Sequence, residues 1–82
     1  MSYMLRSRIV RPDWWTVITD LMGRGLTHSE IGKRCGVDAS SITRLRNNNH
    51  AQPLFGTGVR LLALWLDVCE RNVSEVPEIR VR

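Results

Sequence analysis

The stretch THSEIGKRCGVDASSITRLRN, Thr27 to Asn47, decides how this chain is read. Thr27-His28-Ser29-Glu30 has capping-box spacing: the Thr27 hydroxyl can accept from the Glu30 amide while the Glu30 carboxylate reaches back. A helix starting there buries Ile31 and Cys35 and stops at Gly36. Asp38 is a good N-cap for a further helix running to about Asn48. Two helices of about eight and ten residues, joined through Gly36-Val37, make a helix-turn-helix pattern.

The physical demands of that pattern are met residue by residue. Close crossing needs a small residue on the inner face of the first helix, and Gly32 stands there. A mid-helix glycine otherwise costs about 0.5–1 kcal/mol relative to alanine. The turn needs a residue tolerant of positive φ, which Gly36 supplies. Ile31, Cys35, Val37, Ile42 and Leu45 are the inward anchors. With Ile42 and Leu45 facing in, the helical period turns Ser40, Thr43, Arg44 and Asn47 outward. That row is short near the helix start and long further on, with hydrogen-bonding groups throughout. Such a profile suits a helix entering a DNA major groove.

Upstream, Pro12-Asp13 opens a helix in which Trp14, Val17, Ile18 and Leu21 follow the i, i+3, i+4, i+7 rule, ended by Gly23 and Gly25. Tryptophans on such a face read as core, not as base-stacking platforms. Downstream, Pro53 and Gly56 mark a loop and Thr57 is the expected cap of a fourth helix. There Leu61, Leu64, Trp65 and Val68 form one stripe, and Leu62, Leu66 and Cys69 widen it. Such breadth puts this helix at the centre of the core or beneath a second subunit. Both ends of the chain alternate. Leu5, Ser7 and Ile9 against Arg6, Arg8 and Val10 predict a strand or extended arm over residues 1–11. A strand after Pro77 could pair with residues 4–10 or with another chain.

The 82 residues allow one domain with a modest core, for which self-association is an economical source of extra burial. The expected organisation is an arm or strand over 1–11, a helical core over 13–69 and a tail or strand over 70–82. The net charge is +4 and unevenly spread: residues 1–60 carry nine Arg and Lys against four Asp and Glu, residues 61–82 three against four. A basic excess beside the helix-turn-helix pattern points to a polyanion partner. No apolar run approaches the ~20 residues of a membrane span and no signal-type segment opens the chain, so a cytoplasmic protein is expected. Cys35 and Cys69 read as small buried hydrophobes.

Residues 26–48 resemble the helix-turn-helix of the lambda-repressor-like family, the Cro and repressor type of phage and bacterial regulators. Thr27, Glu30, Ile31, Gly36, Val37, Ser40, Ile42, Thr43, Arg44, Leu45 and Asn47 carry the likeness. QPLFGTGVRLLAL, Gln52 to Leu64, is similar to the segment leading into the fourth helix of many phage members, so the resemblance spans about residues 13–69. It implies an all-α domain of four helices, or five, with terminal strands as an option, that binds operator DNA as a homodimer.

In that family the start of the recognition helix and the residue one turn on read base edges; here these are Ala39, Ser40, Thr43 and Arg44, with Asn47 completing the outward row. Arg44 is the expected bidentate reader of guanine. His28 would contact phosphate or brace the recognition helix. Arg46, Asn48, Thr57 and Gly58 would meet the DNA backbone, joined by Thr27, Arg60 and one of Lys33 and Arg34. The sequence departs from the family at Gly32 and Cys35, where Ala and Leu are usual. It departs again at Ala39, where a Gln is frequent, and at Arg46-Asn47-Asn48 in place of Glu-Asn-Gly. The last two departures bear on specificity.

No phosphate loop, nucleophile elbow or carboxylate pair is present, so neither an enzyme nor a cofactor or small-molecule site is expected. His28, His50, Cys35 and Cys69 match no standard zinc spacing. The alternative to a transcriptional regulator is a protein-interaction or assembly module using the same motif, such as an antitoxin or a DNA-packaging subunit.

Overall fold

Four helices build the core of the computed structural model, which describes residues 9–48 and 51–81. They are α1 (Trp14–Gly23), α2 (His28–Cys35), α3 (Ala39–Asn47) and α4 (Phe55–Val68). A 3-10 turn (Val73–Glu75) and two short strands, β1 (Ile9–Pro12) and β2 (Glu78–Val81), complete the described chain. The molecule is a compact helical globule with a two-stranded ribbon at its ends.

Each helix start has a local cause. Asp13 caps α1, its Oδ1 accepting from the Thr16 amide at 3.3 Å and its Oδ2 from the Thr16 hydroxyl at 2.9 Å. The capping box of α2 is complete: Glu30 N–H to Thr27 Oγ1 is 3.1 Å and Thr27 N–H to Glu30 Oε1 is 2.8 Å. Asp38 caps α3 as its sequence position implies. At α4 the expectation fails. Thr57 is not the cap; the helix begins at Phe55, Leu54 takes the cap position, and no side chain caps it. The start is set by packing instead. Gly58 is buried, and a Cβ there would lie 3.2 Å from Pro53 and 3.6 Å from the Trp14 ring. This close seating brings the chain directly after Pro53 into helical register.

The core joins all four helices. Trp14, Val17, Ile18 and Leu21 of α1 meet Ile31 and Cys35 of α2, Ile42 and Leu45 of α3, and Leu61, Trp65 and Cys69 from α4 and its end. Cys35 and Cys69 are free thiols buried among these residues, and burial raises both above the ordinary thiol value. Trp65 satisfies its indole by donating from Nε1 to Asp20 Oδ2 at 3.0 Å, which ties α4 to α1. The α4 stripe is narrower than its sequence implies: Leu62, Leu64, Leu66 and Val68 are only half-buried.

The chain ends pair antiparallel, with Ile9 opposite Val81 and Pro12 opposite Glu78. The strand thus takes in Pro12 and sits at 9–12; the alternation predicted over Leu5–Ser7 lies outside the described residues. Both strands of such a ribbon are edges, where a proline is tolerated. Asp13 N–H donates to Pro77 O at 2.8 Å, extending the clasp to the start of α1.

Candidate functional site

The α2–α3 unit is built on one close approach. A Cβ on Gly32 would stand 2.6 Å from the Val37 carbonyl oxygen and 3.2 Å from the backbone of Asp38. Gly36 adopts φ 79°, in the left-handed region, and Val37 N–H donates to Gly32 O at 2.9 Å. The glycines at 32 and 36 thus permit the crossing and the turn that the sequence pattern requires.

The polar residues of α3 divide into committed and free ones. Asp38 Oδ1 accepts from the Ser41 amide at 3.0 Å, the Ser41 hydroxyl at 2.8 Å and the Ser40 hydroxyl at 3.1 Å. The Ser41 hydroxyl and amide, then the Ser40 hydroxyl, hold this carboxyl below the usual range. Ser40 is exposed, as expected, but its hydroxyl is turned back to the cap. Thr43 is not fully outward as the period suggests. It is half-buried, donating to Ala39 O at 3.1 Å and lying 2.8 Å from His28 Nδ1. His28 Nε2 also lies 3.1 Å from Met22 Sδ. His28 therefore braces α3 against α1 and α2, one of the two roles its position implies.

Arg46 is likewise committed. Its Nε donates to Thr19 Oγ1 at 3.1 Å, and its guanidinium carbon lies 5.7 Å from the centre of the exposed Trp15 ring. Thr19 and Trp15 hold it on α1, a link that helical spacing within α3 does not reveal. Arg44 and Asn47 are different. Both are exposed, and neither side chain has a hydrogen bond or ion pair among the described residues.

Arg44 lines a groove of about 190 Å³ with Val37, Ser41, Gln52, Leu54 and Thr57. The groove runs from the exposed side of α3 to the start of α4, where no side chain caps the first-turn amides. Thr57 belongs to this wall. Gly58 does not: it is buried and its amide donates to Leu54 O at 2.9 Å. Gln52, exposed in the α3–α4 loop, is a groove residue that sequence reading passed over because loop geometry has no periodic signal.

The remaining candidates lie around this face. Ala39, half-buried, opens α3; exposed Lys33 and Arg34 occupy the last turn of α2, and Asn48 caps the end of α3. Thr27 is exposed, with its hydroxyl spent in the capping box. Arg60 reaches the turn: its guanidinium would lie 2.8 Å from a Cβ on Gly36, at the C-terminal end of α2, where a cation is favoured. Between Thr27 and Arg60 five basic residues face two acids, and both acids are consumed in caps. Among the described residues no group of three His, Cys, Asp or Glu converges to hold a metal ion; His50 lies outside them. No helix among them is long and apolar enough to cross a membrane.

Comparison with protein-family models, with curated proteins and with solved structures found no match to this chain.

Proposed function

We propose that this protein is a sequence-specific double-stranded DNA-binding regulator of the lambda-repressor-like type, a phage or prophage repressor acting as a homodimer. α3 enters the major groove. Arg44 reads a guanine through O6 and N7, and Asn47 reaches a neighbouring base or its phosphate. Half-site centres lie about 34–36 Å apart on one face of the DNA.

One observation carries this reading. The scaffold absorbs most polar side chains of α3, and the two without a partner among the described residues, Arg44 and Asn47, lie exposed on it. The uncapped start of α4 lines the same groove as Arg44, a position from which backbone amides can donate to phosphate. Lys33, Arg34 and Arg60 add positive charge nearby.

The test is selection from randomised duplexes followed by fluorescence anisotropy across a salt series. A recovered palindrome, with affinity falling steeply as salt rises, is the expected result. Arg44→Ala should cost about 1–3 kcal/mol on the selected site and relax preference at one base pair. An equal loss on random DNA would reduce Arg44 to a phosphate contact. Failure to enrich any sequence at low salt would refute the regulator reading.

A further inference from the structure

A thioether and an imidazole meet where α1 ends and α2 begins. Met22, in the last turn of α1, places Sδ 3.1 Å from Nε2 of His28, the first residue of α2. Met22 is 36% exposed and His28 half-buried, so the pair is open to solvent on one side. An added Cβ at Gly23 or Gly25 would meet nothing within 4 Å, so nothing covers these two positions of the turn between them.

We propose that Met22 and His28 form a two-donor site for a soft monovalent cation of the copper(I) and silver(I) class. The donor atoms select that class. A thioether suits soft ions, whereas magnesium, calcium and manganese take oxygen ligands. No group of three His, Cys, Asp or Glu gathers among the described residues, so the four-donor set usual for structural zinc is missing there. The position favours a single charge. The C-terminal end of α1 attracts a cation and the N-terminal end of α2 repels one, so the two helix dipoles oppose each other.

The spacing fits an ion held by both atoms. With metal–nitrogen and metal–sulfur lengths of about 2.0 and 2.3 Å, a separation of 3.1 Å subtends about 90° at the ion. Opening the pair to about 3.5 Å gives a tetrahedral angle, a movement within reach of methionine's three rotatable bonds. His28 is also oriented from behind. A ring bound through Nε2 carries its proton on Nδ1, and Thr43 Oγ1, 2.8 Å from Nδ1, can accept it while its own hydroxyl donates to Ala39 O at 3.1 Å. Ligating histidines as a rule have such a partner on the second nitrogen. A bound ion fastens α1 to α2 and, through Thr43, to α3. The site stands whether or not α3 binds DNA.

The experiment is a titration of the full chain with silver nitrate in chloride-free buffer, followed by NMR of the methionine methyl groups and histidine ring protons. The Met22 methyl and the His28 ring should shift together and saturate with one midpoint, while zinc should leave the Met22 methyl in place. Met22→Leu, a change outside the core, should keep its helicity and weaken the His28 response about tenfold or more. His28→Gln should weaken the Met22 response to the same degree. Separate midpoints for the two residues, an undiminished His28 response in Met22→Leu, or an equal response to zinc would overturn the proposal. Silver taken up at Cys35 or Cys69 with the pair unmoved at excess silver would overturn it too, leaving a bare contact between thioether and ring.

Discussion

Replacing Gly32 by alanine sets two known effects against each other. A glycine inside a helix gives up about 0.8–1.0 kcal/mol relative to alanine, so the substitution starts with that gain. Against it, the added Cβ would meet the Val37 carbonyl oxygen at 2.6 Å and the Asp38 backbone at 3.2 Å. These are backbone atoms of the turn and of the α3 cap, with no rotamer to give way. Overpacking of this kind costs about 1–3 kcal/mol. Gly56, in the first turn of α4, has nothing within 4 Å of its virtual Cβ, so Gly56→Ala collects much of the gain without the clash. Gly32→Ala should therefore be the less stable of the two by about 1–3 kcal/mol, or several degrees to some twenty in midpoint for a domain this size. Urea denaturation followed by the fluorescence of buried Trp14 and Trp65 reads the difference. Equal stability, or a more stable Gly32→Ala, would show that the α2–turn approach is looser than described. Relief of the clash has to move the turn or the start of α3, so DNA affinity is expected to fall as well.

Other predictions follow from single contacts. Asp20→Ala leaves the buried Trp65 indole N–H without its acceptor and should cost about 1–3 kcal/mol; combining it with Trp65→Phe should cost less than the sum of the two changes. Thr43→Val removes the hydroxyl that joins Ala39 and His28 and should cost about 1 kcal/mol of stability, with base-pair preference unchanged in a selection experiment. A changed preference would instead make Thr43 a base reader. Hydrogen bonds hold Glu30, Asp38 and Glu75 below the ordinary carboxylate value: chiefly from the Thr27 backbone, the Ser41 hydroxyl and the Asn72 backbone, respectively. Their contribution is present above that ordinary value and lost as pH falls through the depressed ones. Thermal midpoints should therefore fall below about pH 4, and Asp38→Asn should flatten the slope. A midpoint that rises on acidification over that range would contradict the capping geometry.

Much of the fold was legible because its causes are local. Asp13, Thr27 with Glu30, and Asp38 cap from within four residues, and the apolar period alone identifies the buried faces of α1, α2 and α3. Gly32 and Gly36 were legible because a helix crossing and a left-handed turn each demand a specific property. What escaped depends on neighbouring elements. Thr57 has the right chemistry for a cap, yet the seating of Gly58 on Trp14 and Pro53 starts α4 earlier. Thr43 and Arg46 stand on or beside the outward arc of α3 by period. The angle at which α3 meets α1 and α2 brings His28 to one, and Thr19 with Trp15 to the other. A crossing angle is a property of two packed surfaces, and no single-helix period contains it.

Commitment of these side chains bears on how much sequence one copy can distinguish. A well-placed bidentate contact discriminates by about 1–3 kcal/mol, so Arg44 and Asn47 together supply about 2–6 kcal/mol if both read bases. Specific regulators separate their sites from random DNA by about 4–10 kcal/mol. A monomer reaches only the lower part of that range, and less if Asn47 spends its amide on phosphate. Two copies on a palindrome double the direct readout to about 4–12 kcal/mol. If the protein is the DNA-binding regulator proposed above, the bracing of α3 makes pairing a condition of high specificity as well as of affinity. On the same reading, a chain that bound DNA through α3 while remaining monomeric would hold it largely by charge and would discriminate an operator by no more than the lower part of that range.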